Sequence, residues 1–134
     1  MGGALAVLVL LDTHAFLWWI ADSERLSGLA RGVIADELND IVVSAASAWE
    51  IATKFRIGKL PGCEALALDV SGHIAGQGFA ELEIGVADAE RAGRLPNPHR
   101  DPFDRMLAAQ ALAREFPVVS VDPVFDHFGV IRLW

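Results

Sequence analysis

Short, uninterrupted apolar runs recur along the chain and predict strands that are buried on both faces of a sheet. Val7 to Leu11 is the first such run, and Val118 to Val121 repeats its pattern. Each of these two runs is followed directly by an aspartate. The predicted strands are Val7 to Leu11, Asp40 to Ser44, Glu81 to Ile84, Val118 to Val121 and Val130 to Trp134.

Helical patterns fill the segments between these runs, and capping residues mark where the helices begin. Ser27 is a predicted N-cap, and Ser47 to Glu50 has the spacing of a capping box. Asp101 is a third predicted N-cap, with Pro102 at the first helical position. The predicted helices are Thr13 to about Ala21, Ser27 to about Leu38, Ser47 to about Ile57, Glu64 to about Phe79, Val86 to Arg94 and Pro102 to about Glu115.

Strands that alternate with helices predict the α/β class, as a three-layer α/β/α sandwich with a mostly parallel central sheet. We expect the 134 residues to form a single domain. In sheets of this kind, ligands bind outside the carboxyl ends of the strands. Residues that directly follow the predicted strands are therefore the first candidates for a functional site.

The apolar content is high, with 53% hydrophobic and 22% charged residues. This predicts a sheet covered on both faces, a large subunit interface, or both. The helix around Phe16 to Ile20 is apolar almost all round, so we expect a homodimer. Cys63 is the single cysteine, and the apolar stretch Ala4 to Leu11 is short for a signal peptide or a membrane span. We therefore expect a cytoplasmic protein.

The net charge of −7 argues against broad electrostatic binding to nucleic acid, because phosphate contacts need clustered lysine and arginine. This objection weakens if several acids share one pocket where metal ions neutralise them and if cations flank that pocket. The candidate flanking cations are Lys54, Arg56, Lys59, Arg100 and Arg105. An acidic chain also suits a basic protein partner.

Four acids are predicted to meet at the carboxyl edge of the sheet: Asp12, Glu50, Asp104 and Asp122. Asp12 and Asp122 each end an apolar strand, and Asp104 lies in the first turn of the helix that leads into the second of these strands. Glu50 lies in the first turn of the helix after the second strand and points away from its apolar face. Each acid alone is better explained as a cap, a turn residue or a partner of Lys54. The convergence of all four indicates a site.

Crowded carboxylates repel, since two of them about 5 Å apart interact unfavourably by about 3 kcal/mol at an effective dielectric constant of about 20. We therefore expect a raised pKa for at least one acid, and a requirement for cations. Hard oxygen ligands select Mg²⁺ or Mn²⁺, which can activate a water and stabilise the leaving oxygen of a phosphodiester. The predicted chemistry is phosphodiester hydrolysis.

For several other residues near the four acids, the sequence is compatible with either a structural or a functional role. His14 and His99 each lie two residues from an aspartate, so a mixed site is conceivable, although surface histidines are commoner. Asp101 is explained as a helix cap, with a ligand role as the alternative. Trp18, Trp19 and Trp49 could stack bases, but buried or interface positions are commoner for such side chains.

Four short motifs resemble the PIN-domain toxins of the VapC type, and together they cover nearly the whole chain. They are Leu10 to His14 (LLDTH), Ala48 to Ala52 (AWEIA), Asp101 to Arg105 (DPFDR) and Ser120 to Asp122 (SVD). The resemblance implies that Asp12, Glu50, Asp104 and Asp122 hold Mg²⁺ or Mn²⁺. Asp12 and Asp104 match the family most firmly, and Asp122 matches it least firmly, because the last acid varies among its members.

The same resemblance implies a bacterial or archaeal type II toxin that cleaves single-stranded regions of RNA as a Mg²⁺-dependent endoribonuclease. It also implies a homodimer and a VapB-like antitoxin whose basic tail occupies the acid pocket, in keeping with the negative net charge. Thr13 and Ser120 adjoin the acids and are candidates to orient a water or a metal ligand. Lys54 and Arg105 are candidates for phosphate contacts.

Other acidic Mg²⁺ proteins fit less well. A phosphoryl-accepting receiver domain needs paired acids after the first strand and a lysine after the last, whereas Thr13 follows Asp12 and Asp122 ends the later strand. A phosphatase with an aspartate nucleophile needs Asp-x-Asp at the first strand, where this chain has Asp12, Thr13 and His14. An inactive adaptor would have no reason to retain all four acids.

Overall fold

The computed structural model describes residues 7–134. Its strands form one all-parallel sheet in the order β3-β2-β1-β4-β5. The strands are β1 (Val7–Leu11), β2 (Asn39–Ser44), β3 (Ala80–Leu82), β4 (Val118–Val119) and β5 (Arg132–Leu133). The predicted parallel sheet is thus confirmed, although β3, β4 and β5 are shorter than expected.

Eight helices connect these strands within the described residues. They are α1 (Thr13–Ile20), α2 (Gly28–Ala35), α3 (Ala45–Arg56), α4 (Glu64–Ala67), α5 (Val70–Gly76), α6 (Val86–Arg94), α7 (Pro102–Arg114) and α8 (Val124–Phe128). No helix among residues 7–134 is long and apolar enough to cross a membrane.

Hydrophobic residues cover both faces of the sheet, because alternate side chains of each strand point to opposite sides. Val9 and Leu11 pack on one side against α1, α2, α4 and α5. Leu10 packs on the other side against α7 and α8, together with Val42 and Val118. The result is the predicted three-layer α/β/α sandwich, in which even the central strand is fully buried from Val9 to Leu11.

The strand order places the ends of β2, β1 and β4 side by side. Leu10 pairs with Val42 on β2 and with Val118 on β4, and Leu11 pairs with Val119. The segments that follow these three central strands therefore lie next to one another at the carboxyl edge of the sheet.

The predicted capping box at Ser47 is wrong. Helix α3 begins at Ala45, directly after β2, and the Ser44 hydroxyl accepts the hydrogen bond from the Ala46 amide at 3.0 Å. Ser47 is instead fully buried within the helix. Both serines have suitable side chains, and the point where β2 leaves the sheet decides between them.

Other helices also differ from the predictions. Helix α2 ends at Ala35 because the Asp36 carboxylate turns the chain by accepting from the Leu38 amide at 3.0 Å. The predicted helix from Glu64 to Phe79 is two helices, since Asp69 caps α5 anew. Helix α8 was not predicted, and it lies inside the segment between β4 and β5.

Candidate active site

Asp12 directly follows β1 and caps α1. Its Oδ1 accepts a hydrogen bond from the Thr13 amide at 2.7 Å, and its Oδ2 accepts one from the Ser120 hydroxyl at 2.7 Å. Only 5% of Asp12 is exposed. Since Ser120 directly follows β4, this hydroxyl ties together the ends of two neighbouring strands and fixes the orientation of the carboxylate.

Glu50 lies in the second turn of α3, and not in the first as predicted, because the helix begins at Ala45. It is only 4% exposed. Its Oε2 accepts a hydrogen bond from the Lys54 ammonium one turn later on the same helix. One turn earlier, the Ser47 hydroxyl accepts a hydrogen bond from the Thr13 hydroxyl at 2.9 Å. This buried contact joins the start of α1, beside Asp12, to the helix that carries Glu50.

Asp104 lies in the first turn of α7, as predicted, and its Oδ2 lies 2.9 Å from His99 Nε2. Asp101 is the N-cap of this helix, because its Oδ1 accepts from the amides of Phe103 at 2.9 Å and Asp104 at 3.2 Å. The predicted cap role of Asp101 is thereby confirmed. His99 has no sequence signal beyond its distance from Asp101, since its partner Asp104 is five residues away across an irregular loop.

Asp122 does not end a strand, because β4 stops at Val119. Its amide donates to the Ser120 hydroxyl at 3.0 Å, and its Oδ1 accepts from the Val124 amide at 2.9 Å. Ser120 thus holds both Asp12 and the backbone of Asp122. An Asp-Pro pair at residues 122 and 123, like the pair at Asp101, was the signal for the unpredicted helix α8.

All four predicted acids line one open cleft of about 470 Å³ at the carboxyl edge of the sheet. The other lining side chains are those of His14, Trp18, Lys54, Asp101, Val121 and Pro123. Trp18 is half-buried and packs between His14 and Trp134, with ring centroids 5.6 and 5.8 Å away. The convergence expected from the strand order therefore occurs.

Burial and negative charge disfavour ionisation of two of the acids. Burial raises the pKa of Asp12, against the opposing effect of the Ser120 hydrogen bond. Burial also raises the pKa of Asp104 from 3.8 to about 6, and the charges of Asp101, Asp12 and Glu50 add to the increase. Repulsion between the acids therefore contributes as expected, but loss of solvation is the larger cause.

Lys54 lines the cleft and brings a positive charge close to the acids. Burial lowers the pKa of its ammonium, but the hydrogen bond and charge of Glu50 outweigh this effect, and Asp101 and Asp104 add to them. The net result is a raised pKa, so the ammonium stays charged. Lys54 therefore compensates part of the negative charge of the cleft.

The donor chemistry of the cleft fits a hard divalent cation, because the convergent ligands are carboxylates without any cysteine. Within residues 7–134, no three His, Cys, Asp or Glu side chains already form a metal-binding cluster. Lys54 contacts Oε2 of Glu50, and His99 contacts Oδ2 of Asp104. A bound cation would therefore take the other oxygen of Asp104, which His99 leaves available, and would compete with Lys54 for Glu50.

The tryptophans and Arg105 take roles that the sequence left open. Trp19 packs against the core and donates through Nε1 to Gln77 at 2.9 Å, so α1 is covered largely within the chain. Trp49 is 60% exposed and packs edge-on against Phe103, outside the cleft lining. The Arg105 guanidinium binds backbone carbonyls, contrary to the expected phosphate contact.

Comparison with known protein families identifies the fold. The family model of the PIN domain matches residues 9–131. The chain belongs to the PIN-domain family. This PIN domain is 43% identical over 57 residues to Ribonuclease VapC16 of Mycobacterium tuberculosis, a match that covers 42% of this chain and 40% of the relative. It is 27% identical over 117 residues to Ribonuclease VapC22 of the same organism, covering 85% of this chain and 86% of the relative.

The architecture of this PIN domain also resembles a solved toxin–antitoxin structure. VapBC2 from Rickettsia felis, bound to a DNA fragment from their promoter, superposes with a TM-score of 0.66 and covers 94% of this chain and 97% of the other. Sequence identity is 13%, so the likeness concerns the fold alone. It agrees with the sheet order and the three layers described above.

Proposed function

We propose that this PIN domain is a Mg²⁺- or Mn²⁺-dependent endoribonuclease that cleaves single-stranded regions of RNA as the toxin of a VapBC-type toxin–antitoxin pair. One observation carries the proposal: Asp12, Glu50, Asp104 and Asp122 line a single cleft in a chain of this family. The names of the relatives VapC16 and VapC22 support the ribonuclease activity.

The four acids would hold the cation, with Asp12 and Asp104 as the firmest ligands. When bound, such a cation activates a water and stabilises the leaving oxygen of a phosphodiester. Asp12 is suited to this role because Ser120 and the Thr13 amide fix its carboxylate in one orientation. Asp104 is suited because burial, and to a smaller extent the neighbouring acids, raise its pKa, and a bound cation would offset both effects.

The remaining residues of the cleft prepare it for an anionic polymer. Lys54 places a positive charge among the acids, and a cation that displaces it from Glu50 would leave the ammonium available for a phosphate. Trp18 adds an aromatic side chain to the lining. The cleft is open, so an extended strand can reach the acids.

The proposed partners are an RNA substrate, a VapB-like antitoxin and a second copy of this chain. A basic antitoxin segment would complement both the acidic cleft and the net charge of −7. The homodimer stays a prediction from the apolar content, because α1 is covered largely within the chain. Light scattering tests it, since a mass of 14.4 kDa across micromolar concentrations would contradict a dimer.

The experiment is a cleavage assay with total bacterial RNA and with labelled single-stranded and duplex oligonucleotides, in Mg²⁺, Mn²⁺ or EDTA. We expect metal-dependent cuts in single-stranded regions that EDTA abolishes. Lys59→Met is the control variant, and we expect it to cleave RNA at the wild-type rate. Lys59 is exposed and lies outside the cleft lining. Equal cleavage in EDTA, or cleavage by Asp12→Asn at the wild-type rate, would contradict the proposal.

A further inference from the structure

Arg105 lies in the first turns of α7, directly after Asp104, but its side chain serves the neighbouring loop. The guanidinium donates five hydrogen bonds to backbone carbonyls, which saturates the five N–H donors of an arginine. The acceptors are Ala92 at 3.0 Å, Gly93 at 3.5 Å, Leu95 at 2.7 Å, Asn97 at 2.6 Å and His99 at 2.9 Å. No donor is left for a phosphate.

These carbonyls belong to the end of α6 and to the irregular loop 95–100 that joins it to α7. Ala92 and Gly93 lie in the last turn of α6, where backbone carbonyls lack partners within the helix and a positive charge is favourable. The loop contains Pro96 and Pro98 and has no regular hydrogen bonding of its own. Arg105 therefore supplies contacts that neighbouring backbone groups cannot supply.

The same loop delivers His99 to the candidate active site. His99 Nε2 lies 2.9 Å from Asp104 Oδ2, and the ring packs edge-on against Phe128 with centroids 6.0 Å apart. Arg105 binds the carbonyl of His99 itself as well as that of Asn97, whose side chain accepts from the His99 amide. The position of this imidazole thus depends on the backbone that Arg105 holds.

We propose that Arg105 is a positioning residue that holds loop 95–100 so that His99 orients the carboxylate of Asp104. The consequence for catalysis rests on the nuclease activity proposed above. Partners that orient a metal-binding carboxylate typically contribute 10–100-fold to metal affinity or activity. Lysine cannot replace arginine here, because one ammonium has a single nitrogen and cannot span carbonyls from residue 92 to residue 99.

The first test is independent of activity. Trypsin can cut after Arg100, in the exposed part of the loop, and we expect Arg105→Lys to raise the rate of that cut at least tenfold. Arg94→Lys is the matched control, since the Arg94 guanidinium contacts only the exposed Glu90 side chain. Equal cleavage rates after Arg100 in Arg105→Lys and Arg94→Lys would overturn the proposal, even if the wild type cut no RNA.

The second test is a double-mutant cycle on RNA cleavage. Arg105→Lys and His99→Ala should each lower kcat about tenfold with little change in KM, and the double variant should lose less than about twofold more. If the kcat loss of the double variant equals the product of the two single losses, Arg105 acts independently of His99 and the proposal is overturned. A salt-dependent rise in KM at unchanged kcat would also overturn it, because that is the signature of a phosphate contact.

A third variant keeps the test valid if Arg105→Lys folds poorly. Pro98→Gly loosens the loop from within and removes an exposed side chain that makes no core contact. It should lower kcat in the same direction as Arg105→Lys and leave KM unchanged. A Pro98→Gly protein with accelerated loop proteolysis and wild-type kcat would show that loop order does not matter for the site.

Discussion

Asp88 and Asp104 occupy equivalent positions on two adjacent helices, yet their environments are opposite. Each is the third residue of its helix, α6 for Asp88 and α7 for Asp104. Arg114 binds both carboxylate oxygens of Asp88, at 2.9 and 3.1 Å, and lowers its pKa. Asp104 has His99 as its direct side-chain partner and faces other acids in a cleft, and its pKa is raised to about 6.

The difference separates a structural carboxylate from a candidate ligand. Asp88 has a fixed cation that neutralises it and a backbone amide, that of Gly85, at 3.0 Å. Asp104 is partly buried beside other acids, which disfavours its ionised form until a cation arrives. Local sequence is similar at both positions, since each acid suits a helix N-terminus. The surrounding charges decide the role.

The largest expected effect concerns cleavage. Asp104→Asn, Asp12→Asn and Glu50→Gln should each lose more than about a hundredfold in kcat, since even indirect partners of a metal typically contribute 10–100-fold. Asp88→Asn should cut RNA at nearly the wild-type rate per folded molecule. Steady-state cleavage with folding checked by circular dichroism measures both. Equal losses in Asp88→Asn and Asp104→Asn would remove the distinction between the two acids.

The second effect is stabilisation by metal. Mg²⁺ at about a hundred times its dissociation constant should stabilise the wild type by about 2.7 kcal/mol, because it binds only the folded form. Asp104→Asn should reduce this gain to about 1.4 kcal/mol if the dissociation constant rises tenfold. Asp88→Asn should keep the full gain. Thermal melting of the three proteins in Mg²⁺ and in EDTA measures these gains. A wild type that Mg²⁺ does not stabilise would contradict the metal site.

Asp88→Asn should lower the free energy of unfolding by about 2 kcal/mol, with or without metal, because it leaves the Arg114 guanidinium without its charged partner. The lowered pKa of Asp88 means that its stabilisation is present above pH 3.8 and disappears as pH falls through the lower folded value. Urea denaturation at pH 7 and at about pH 3 measures this. A variant as stable as the wild type at pH 7 would show that the ion pair is dispensable.

Asp104→Asn should have the opposite sign and stabilise the metal-free protein at pH 7 by about 1 kcal/mol, after allowance for solvent screening. The folded pKa of about 6 lies above the unfolded value of 3.8, so ionisation of Asp104 destabilises the fold at neutral pH. That penalty on the free energy of unfolding declines as pH falls through about 6. The variant lacks the carboxyl group and should not show this pH dependence. Melting curves in EDTA between pH 7.5 and 4.5 test it, and a variant less stable throughout would make Asp104 a simple helix-terminal charge.

The smallest effect is expected at Asp101, which lines the cleft but caps α7. Asp101→Asn should change stability by less than about 0.5 kcal/mol and kcat by less than about threefold, since asparagine caps nearly as well as aspartate. Cleavage and melting assays in parallel with Asp104→Asn provide the comparison. An inactive Asp101→Asn protein would show that Asp101 is a ligand.

Periodic and capping signals predicted most of the fold. Apolar runs such as Val7–Leu11 and the start of α7 at Asp101-Pro102 depend on neighbours in sequence, so they can be recognised without the tertiary structure. The predicted start of α3 was wrong because Ser44 and Ser47 are both suitable N-caps. The end of β2 at Ser44 determines which of them caps the helix. The short helix α8 was not predicted, because the Asp122-Pro123 pair before it was interpreted as a turn.

The sequence alone determined which acids could converge, because hydrophobic periodicity and parallel-sheet topology place Asp12 after a strand, Asp104 at a helix start and Glu50 in the helix after β2. The partners of those acids were decided by the tertiary structure. Ser120 reaches Asp12 across 108 positions, and Arg105 binds a loop instead of phosphate. The pKa of Asp104 likewise depends on burial and on charges brought from α3 and β1. Desolvation and long-range charge act through distance in space, which local sequence does not encode.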